Sequence, residues 1–334
     1  MTVMRIGPYT FSSRVLLAPM AGVTDRPFRQ LCRRFGAALT TSEMVTADPA
    51  LQRTRKTRLR LDHGGEREPV SVQIAGADPV MLADAARRNV DCGAQIIDIN
   101  MGCPAKKVCN AQAGSALLRD EVLVARLLST VVTAVAVPVT LKMRTGWDAS
   151  KRNGIRIAQL AESCGVQALA VHGRTRADRF EGSAEYDTIR AIKSAVDIPV
   201  VANGDVDSVE KAAAVMQCTG ADAVMIGRAA QGRPWLIAQV DAYLEHGRRL
   251  PEPSAETVGG WLLEHLDGLY DFYGQEHGAR VARKHIRWYC VSRPGSSALW
   301  EAVNRADQSR LQRHIVEQYF ARLSDDHAQT PRPA

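Results

Sequence analysis

The amino-acid sequence predicts an α/β fold, a (β/α)8 TIM barrel followed by a small C-terminal all-helical domain. Eight short apolar runs recur through the first two thirds of its 334 residues. Segments with the 3.6-residue period of helices separate several of these runs, and beyond residue 247 only helical patterns follow. Apolar strands that alternate with helices are typical of a parallel sheet covered by helices, and eight units over this length favour a closed barrel.

The predicted strands are residues 15–20, 39–42, 70–75, 96–100, 138–143, 168–172, 198–203 and 223–227. The predicted helices between them include residues 79–93, 119–136, 154–164, 186–196 and 208–219. Glycines directly follow several of these helical segments, which is a common way for a helix to end. An open, doubly wound sheet is the alternative fold, but no Gly-x-Gly-x-x-Gly follows the first strand.

Three regions follow from these patterns: a barrel at residues 1–247, a helical domain at 248–323 and a disordered tail at 324–334. Pro251 and Pro253 mark the linker that begins the helical domain. Within that domain, residues 258–273, 279–290 and 299–323 have helical periodicity. The tail is polar and contains prolines, a composition typical of disorder.

Composition and charge narrow the class of protein. The formal charge of +7 is a mild bias toward polyanionic partners. Seven cysteines without a Cys-x-x-Cys pair favour reduced thiols, so we expect a cytoplasmic protein without a bound metal. The first ten residues lack the apolar core of a signal peptide. Arg126 and Pro138 interrupt the longest apolar stretch, 122–141, so we expect no membrane span. The sequence shows no sign of a protein partner, so we expect a monomer.

Polar residues follow the predicted strands at the end where a barrel carries its active site. They include Glu43, Gln73, Asn100, Cys103, Lys142, Arg144, His172, Arg174, Asn203, Asp205 and Arg228. A single polar residue at a strand end is weak evidence for a site, because it is usually only exposed to solvent. The strand ends of a barrel converge on one cavity, however, so we predict that these residues line a single site.

Cys103 is the predicted reactive centre, because it lies in a Gly-Cys-Pro turn directly after the apolar run 96–99. The alternative is that its thiol is one more small buried hydrophobe. Gly204 and Gly227 follow strands seven and eight, where barrels often bind a phosphate through backbone N–H groups. Arg174 and Arg228 add positive charge there.

The remaining rim residues suit a flavin. Lys142 can stabilise a developing anion, and Gln73 and Asn203 offer amides to the edge of a heterocycle. With the phosphate site they predict flavin mononucleotide (FMN) across the mouth of the barrel. A sugar phosphate would use the same phosphate site and stays open as the alternative.

One helix of the predicted helical domain has a basic face. Arg280, Arg283, Lys284 and Arg287 lie at i, i+3, i+4 and i+7, with no acidic residue among them. Such a face is most often only solvated, but four cations favour contact with a phosphate backbone. A second basic run, 53–60, follows the second strand near the rim.

Several motifs resemble those of the bacterial tRNA-dihydrouridine synthases. They are Ala-Pro-Met-Ala-Gly-Val-Thr-Asp at 18–25, Asn-Met-Gly-Cys-Pro at 100–104, Val-His-Gly-Arg-Thr at 171–175, Asn-Gly-Asp at 203–205 and Met-Ile-Gly-Arg-Ala at 225–229. Residues 97–107 and 282–285 are similar to the B-type subgroup. The resemblance extends from about Met4 to the last predicted helix.

This resemblance implies a cytoplasmic, FMN-dependent reductase that saturates the C5–C6 bond of a uridine in the tRNA D-loop. NADPH would be the electron donor, with NADH as the other possibility. The B-type subgroup implies position 17 as the uridine that is reduced. Residues 248–323 would then be a tRNA-binding domain and residues 1–247 the FMN-binding catalytic domain.

The resemblance also implies roles for individual residues. Cys103 would give a proton to C5 while reduced flavin gives hydride to C6. The residues that would hold FMN are Pro19, Met20, Ala21, Gln73, Lys142, His172, Asn203, Gly204, Asp205, Gly227 and Arg228. Asn100, Arg144 and the ring at Phe180 would lie at the base. We also predict that Arg174 at the rim and the basic helix face, Arg280, Arg283, Lys284 and Arg287, bind the substrate. Phe180 stands where related members have a tyrosine, and Cys109 has no role in the family pattern.

Two other functions remain open at this stage. A flavin barrel enzyme that acts on a free pyrimidine would need the same cavity but not the basic helix. A non-enzymatic RNA-binding protein on a relic barrel would not take up FMN. The presence of Cys103, Lys142 and His172 argues against the relic.

Overall fold

The computed structural model describes residues 4–52 and 54–329. Its strands are β1 (Met4–Ile6), β2 (Tyr9–Phe11), β3 (Val15–Leu17), β4 (Val45–Thr46), β5 (Ser71–Ala75), β6 (Ile96–Met101), β7 (Val139–Arg144), β8 (Ala168–His172), β9 (Val200–Asn203) and β10 (Ala223–Ile226). The strands β3 to β10 form one parallel sheet in the order β3-β10-β9-β8-β7-β6-β5-β4. This sheet and its helices confirm the predicted barrel.

The predicted second strand, 39–42, is the irregular part of the barrel wall. It pairs through two isolated bridges, Leu17 with Thr40 and Thr41 with Ser71, which close the sheet between β3 and β5. The Ser42 hydroxyl accepts a hydrogen bond from the Gln73 backbone N–H at 3.1 Å, so a side chain replaces a rung of the ladder. The regular strand β4 follows only afterwards.

The helices are α1 (Arg26–Arg34), α2 (Pro49–Gln52), α3 (Arg55–Arg60), α4 (Pro79–Asp91), α5 (Lys106–Asn110), α6 (Glu121–Ala134), α7 (Gly154–Ser163), α8 (Asp187–Ala195), α9 (Val209–Thr219), α10 (Leu236–His246), α11 (Ala255–Tyr273), α12 (Gln275–Cys290), α13 (Ser296–Arg305) and α14 (Ser309–Gln329). Two 3₁₀ helices, Gly114–Arg119 and Arg228–Ala230, lie near the ends of β6 and β10. Polar N-caps begin several helices: Asp25, Asp78, Asp120 and Ser208 each accept a backbone N–H.

The antiparallel hairpin β1–β2 covers the amino-terminal end of the barrel. Met4, Ile6 and Phe11 belong to the same buried apolar cluster as Ile96 and Ala223, the first residues of β6 and β10. This end is therefore filled with apolar side chains. Polar groups that belong to the barrel are left at the opposite, carboxyl-terminal end of the strands.

The chain divides into two compact units. The first extends to Arg228 and includes Trp235–Arg248, and the second contains Ala229–Pro234 and the chain from Arg249 onward. The second unit holds α11 to α14, in which Val258, Leu262 and Ala282 are fully buried. No helix in the described ranges is long and apolar enough to cross a membrane.

The second unit differs from the predicted pattern at two places. The segment 299–323 is two helices, because Ala306 has extended backbone (φ −78°, ψ 108°) and ends α13. The last helix runs to Gln329, past the predicted start of the disordered tail at 324. Residues 324–329 include neither proline nor glycine, so the backbone ladder can continue. Residues 330–334 of that tail, and Arg53 of the basic run, lie outside the described residues.

Candidate active site

Strand register brings the polar residues of the barrel mouth into neighbouring positions. Gln73, Asp98 and Thr140 are direct partners on β5, β6 and β7. Asn100 pairs with Lys142 one layer closer to the carboxyl ends. In a parallel barrel such in-register residues point to the same side, so each set forms a layer.

The layer at Gln73 is a chain of hydrogen bonds. Asn100 Nδ2 donates to Gln73 Oε1 at 2.7 Å, and Gln73 Nε2 donates to Asp98 Oδ2 at 2.7 Å. The Thr140 hydroxyl donates to Asp98 Oδ1 at 2.6 Å. Burial raises the pKa of Asp98, although these two hydrogen bonds and the charge of Lys142 oppose the rise. The buried carboxyl orients the Gln73 amide, which in turn orients the Asn100 amide.

Asn100 holds the loop that carries the thiol. Its Oδ1 accepts the backbone N–H of Gly102 at 3.2 Å and of Cys103 at 3.0 Å. The Ser115 hydroxyl donates to the Cys103 carbonyl at 2.9 Å. A Cβ at Gly114 would lie 2.9 Å from that same carbonyl oxygen, so only glycine fits there. The loop is thus fixed from both sides.

The Cys103 side chain is half-buried, and its sulfur forms no disulfide. Burial raises the pKa of the Cys103 thiol above its ordinary value, and the nearby Cys109 thiol acts in the same direction. The group is therefore a protonated thiol at neutral pH and can serve as an acid. Cys109 itself is buried, and its Sγ is 3.6 Å from the Cys103 carbonyl oxygen.

Two cations of β7 lie beside this loop. Lys142 Nζ donates to Asn203 Oδ1 at 3.1 Å across the barrel mouth. Burial, together with the charge of Arg144, lowers the pKa of Lys142 to about 8. Arg144 Nε donates to the Gly102 carbonyl at 2.8 Å, and its Nη1 donates to the carbonyls of Thr175 and Arg179, both at 2.7 Å.

Arg174 is almost fully buried and forms a two-pronged ion pair with Asp205. Its Nη1 and Nη2 donate to the two carboxylate oxygens at 2.9 and 2.6 Å. Burial alone would raise the pKa of Asp205, but hydrogen bonds from Arg174 and the Ala184 N–H outweigh it and lower the pKa. Arg228 Nη2 also reaches Asp205 Oδ1, at 3.1 Å. The structure thus places the Arg174 guanidinium against Asp205, and its role in substrate binding stays a prediction.

His172 is buried and electrically neutral. Burial, with the charges of Lys142 and Arg144, lowers the pKa of His172 to about 2. Arg174 Nη1 lies 3.3 Å from His172 Nε2, so that nitrogen accepts and the proton is on Nδ1. Gly204 (φ 125°) packs against this ring, because a Cβ there would be 3.0 Å from His172 Cδ2.

Phe180 is an exposed ring among cations at the mouth. Its exposed fraction is 53%, unusual for a phenylalanine. The guanidinium carbons of Arg144 and Arg228 are each 5.3 Å from the ring centroid, and the His172 ring is 6.3 Å away. A flat apolar face with flanking positive charge can stack on a nucleic-acid base.

The remaining predicted cofactor residues lie on the turns after β3 and β10. Pro19 and Met20 are half-buried and Ala21 is exposed, with the Met20 N–H bonded to the Thr24 hydroxyl at 2.9 Å. A Cβ at Gly227 would be 3.8 Å from Met20 Sδ, an ordinary contact. The two turns therefore face each other, and side chains do not crowd the space between them.

These groups fit a flavin. Among the described residues, Asn203 is the one hydrogen-bond partner of the half-buried Lys142 ammonium, so two of its three N–H donors are left for a bound molecule. Polar groups buried in a barrel mouth are costly unless a polar ligand satisfies them. Lys142 and Asn203 would bind the heterocycle, and the turns at Gly204 and Gly227 would bind the phosphate.

The predicted basic face of α12 is partly engaged within its own unit. Arg283 Nη2 donates to Asp307 Oδ1 at 3.2 Å, and Arg280 lies 3.9 Å from Glu276. Arg287 lies over the Trp300 ring at 5.2 Å. Arg280 and Arg287 are exposed, whereas Arg283 and Lys284 are half-buried. The acidic partner Asp307 comes from the turn between α13 and α14, which helical spacing does not reveal.

Sequence reasoning missed the residues that support the thiol loop. The sequence pattern places Asp98 in a strand and assigns no role to Thr140 or Ser115. A carboxylate inside the apolar run 96–99 was an available signal, because an acidic residue is rarely fully buried without partners. Ser115 gave no such signal.

Comparison with known proteins relates almost the whole chain to one family. The profile of the family described as dihydrouridine synthase (Dus) matches residues 16–324. The tRNA-dihydrouridine synthase B of Pseudomonas aeruginosa is 63% identical over 321 residues, 96% of this chain and 97% of that protein. The protein of the same name from Xanthomonas campestris pv. campestris is 60% identical over 320 residues, 96% of each chain.

A more distant relative in Vibrio vulnificus, also a tRNA-dihydrouridine synthase B, is 53% identical over 317 residues, 95% of this chain and 98% of that protein. Among solved structures, histamine dehydrogenase from Rhizobium sp. 4-9 has a TM-score of 0.52 at 13% identity, over 79% of this chain and 50% of that chain, which supports the fold alone. Because the family profile and these relatives span nearly the full length, the chain belongs to the dihydrouridine synthase family.

Proposed function

We propose that this protein reduces the C5–C6 bond of a uridine in the tRNA D-loop to 5,6-dihydrouridine, with FMN as cofactor and NADPH as electron donor. Members of the dihydrouridine synthase family are flavin-dependent oxidoreductases, and this chain is one. The single observation that carries the proposal is a protonated, half-buried thiol, Cys103, held at the barrel mouth beside Lys142 and Arg144.

The chemistry needs an acid and a stabilised anion. When bound, reduced FMN supplies the hydride that is added to C6 of the base. Cys103 gives its proton to C5, which receives the negative charge. Donors from Arg144 and Lys142 stabilise the charge that spreads to the carbonyl oxygens of the base. Because His172 is neutral near pH 7, it hydrogen-bonds without adding charge.

The target uridine base must leave the base stack of the tRNA to reach this cavity. Extruding a base costs about a few kcal/mol, and contacts to phosphates can offset that cost. The exposed Phe180 ring would stack on the extruded base, and the cations of α12 would hold the RNA backbone. We propose reduction at position 17, a cytoplasmic location and a monomeric enzyme as further parts of this function.

The basic face of α12 distinguishes this reaction from one on a free pyrimidine. We expect Arg283→Glu with Lys284→Glu to weaken tRNA binding more than tenfold, since two phosphate contacts become repulsions. NADPH oxidation without tRNA should be unchanged. The matched control is Arg305→Glu with Arg322→Glu, the same charge change on α13 and α14. Undiminished dihydrouridine formation by the first variant would favour the free-pyrimidine alternative.

The pH dependence of the reaction should report on Lys142. Its charge is present below its pKa of about 8 and is lost above it, while the raised pKa keeps the Cys103 thiol protonated there. We therefore expect the rate of uridine reduction by pre-reduced enzyme to fall about tenfold per pH unit above pH 8. Lys142→Arg keeps the charge, so its alkaline decline should begin at least one pH unit higher. An unchanged profile in this variant would remove Lys142 from the site.

Mapping dihydrouridine in tRNA gives the direct test of the proposed function. A strain that lacks its own enzyme for the position should regain dihydrouridine at position 17 when it carries this gene, and purified protein should carry one FMN. Absence of dihydrouridine from all tRNA positions would refute the proposal. Parallel assays with NADPH and NADH decide the electron donor.

A further inference from the structure

We propose that Arg119 and Arg176, stacked on Trp147 at the rim of the barrel, form a binding site for phosphodiester groups of the RNA strand that flanks the reduced uridine. This inference rests on the proposed function for the identity of the RNA. The three residues belong to three different loops at the carboxyl-terminal end of the strands. We name them the rim clamp.

Both guanidinium groups of the rim clamp lie on one indole ring. The carbon Cζ of Arg119 is 4.4 Å from the Trp147 ring centroid, and Cζ of Arg176 is 4.5 Å from it. The two charges are therefore within about one Debye length of each other at physiological ionic strength. Like charges repel at this separation, and a phosphate bound to either guanidinium group lowers the repulsion. Stacking on a ring leaves the in-plane N–H groups of arginine available for a phosphate.

The rim clamp lacks the carboxylates that neutralise other arginines of this rim. Arg152 pairs with Glu185, and Arg174 and Arg228 pair with Asp205. Among the side chains of residues 4–51 and 54–324, neither Arg119 nor Arg176 has a carboxylate oxygen within 4.0 Å.

The nearest acidic residues along the chain are engaged elsewhere. Asp120 and Glu121, which follow Arg119, accept from the Leu123 N–H and from Asn153 Nδ2. Asp148 Oδ1 accepts from Ser150 and from the Lys151 N–H, and Asp178 Oδ2 accepts from the N–H and hydroxyl of Thr175. None of these carboxylates forms an ion pair with Arg119 or Arg176.

The donors of the rim clamp are only partly used. Arg119 Nη2 donates to Gln112 Oε1 at 2.8 Å, and its Nε reaches the Ala116 carbonyl at 3.4 Å. No contact among the described residues uses its Nη1. Arg176 Nε is buried without a hydrogen-bond partner, a costly state for a charged group. No contact among the described residues uses Nη1 or Nη2 of Arg176 either, so both side chains have terminal N–H groups that can donate to a phosphate oxygen.

The backbone holds the rim clamp in place and connects it to the thiol loop. The Arg176 and Ala177 N–H groups donate to the carbonyls of Gly146 and Trp147, each at 2.9 Å. Arg119 ends the 3₁₀ helix Gly114–Arg119, whose Ser115 holds the Cys103 carbonyl. A phosphate bound to Arg119 therefore contacts the same 3₁₀ helix that holds the Cys103 loop.

A phosphate could also come from the dinucleotide NADPH. The surroundings favour RNA, because further exposed cations lie on the same two loops, Lys151 after Trp147 and Arg179 after Arg176. Neither has a carboxylate within salt-bridge distance in the described part of the chain. A row of cations suits a strand with one charge per nucleotide better than a single phosphate group.

The test is the salt dependence of tRNA binding by the FMN-loaded protein. We expect Arg119→Gln with Arg176→Gln to weaken binding of an unmodified tRNA transcript roughly 10- to 50-fold at 0.1 M salt. The slope of log affinity against log salt should fall by about 1.5, since two phosphate contacts are lost. NADPH oxidation without tRNA should be unchanged. Arg119→Lys with Arg176→Lys keeps both charges and should restore most of the slope.

The control is Arg156→Gln with Arg190→Gln, two arginines on α7 and α8 that already pair with Glu121 and Asp187. An unchanged affinity and slope in the Arg119 and Arg176 variant would overturn the proposal. A raised KM for NADPH but not NADH, with tRNA binding intact, would also overturn it and assign the site to the dinucleotide. If the wild-type protein binds tRNA with the expected slope but forms no dihydrouridine, the proposed reaction fails and the rim clamp stands.

Discussion

Replacing Cys103 by alanine should lower the rate of dihydrouridine formation by about 10²- to 10⁴-fold, the usual contribution of a positioned acid. The thiol is held in position at the barrel mouth, because the Cys103 carbonyl accepts from Ser115 and its N–H donates to Asn100. FMN content and NADPH oxidation should stay at wild-type values, since the Cys103 backbone makes the hydrogen bonds to Asn100 and Ser115 that hold the loop. Single-turnover reduction of tRNA uridine, quantified by mass spectrometry of the nucleosides, measures the effect.

Cys92→Ala provides the matched control for this experiment. Cys92 is an exposed thiol at the end of α4, and its removal should leave all three readouts unchanged. A Cys103→Ala enzyme that forms dihydrouridine at the wild-type rate would refute the acid role. Loss of FMN from this variant would instead indicate that Cys103 supports the cofactor site.

Replacing Arg174 by methionine should lower the free energy of unfolding by about 3 kcal/mol, the lower end of the range for breaking a buried ion pair. The change leaves the Asp205 carboxylate without its two-pronged partner, and the carbonyls of Glu181 and Gly182 without their donors. The lower end applies because the Asp205 side chain is 25% exposed. Urea-induced unfolding followed by circular dichroism measures the loss.

An exposed pair of the same chemistry serves as the reference. Arg190 lies 2.9 Å from Asp187 with both side chains exposed, so Arg190→Met should cost less than about 1 kcal/mol. Adding Asp205→Asn to Arg174→Met should recover part of the loss, because the unpaired charge is removed. If Arg174→Met unfolds like the wild type and only raises KM for tRNA, then Arg174 binds the substrate, as predicted from the sequence.

The alternation of apolar runs with helical segments was enough to predict the barrel and the rim on which its polar residues lie. Seven of the eight predicted runs contain a regular strand, because a strand buried on both faces needs a continuous apolar segment. The run 39–42 pairs only through bridges, since the Ser42 hydroxyl takes the place of a backbone acceptor. This competition between a side chain and the backbone for one N–H does not change the hydrophobic periodicity, so the pattern could not reveal it.

What each rim residue contacts could not be predicted in the same way. The sequence places Arg144, Arg174 and Asp205 at strand ends, but an arginine at a strand end can face a ligand or a carboxylate of the next loop. Packing decides between the two, and here Arg174 pairs with Asp205, 31 residues further along the chain. The rim clamp is a similar case, because Arg119, Trp147 and Arg176 share no motif.

The sequence by itself determined the fold class, the family and the turn that carries the thiol, because these depend on local hydrophobic spacing and on contiguous motifs. The tertiary structure alone decided which side chains are neutralised and which are left with unused donors. It showed that Asp98, through Gln73 and Asn100, holds the Cys103 loop, and that the charges of Arg119 and Arg176 meet on one ring. The physical reason is that hydrogen bonds and charges act over a few ångströms in space, between groups that the chain separates by tens of residues.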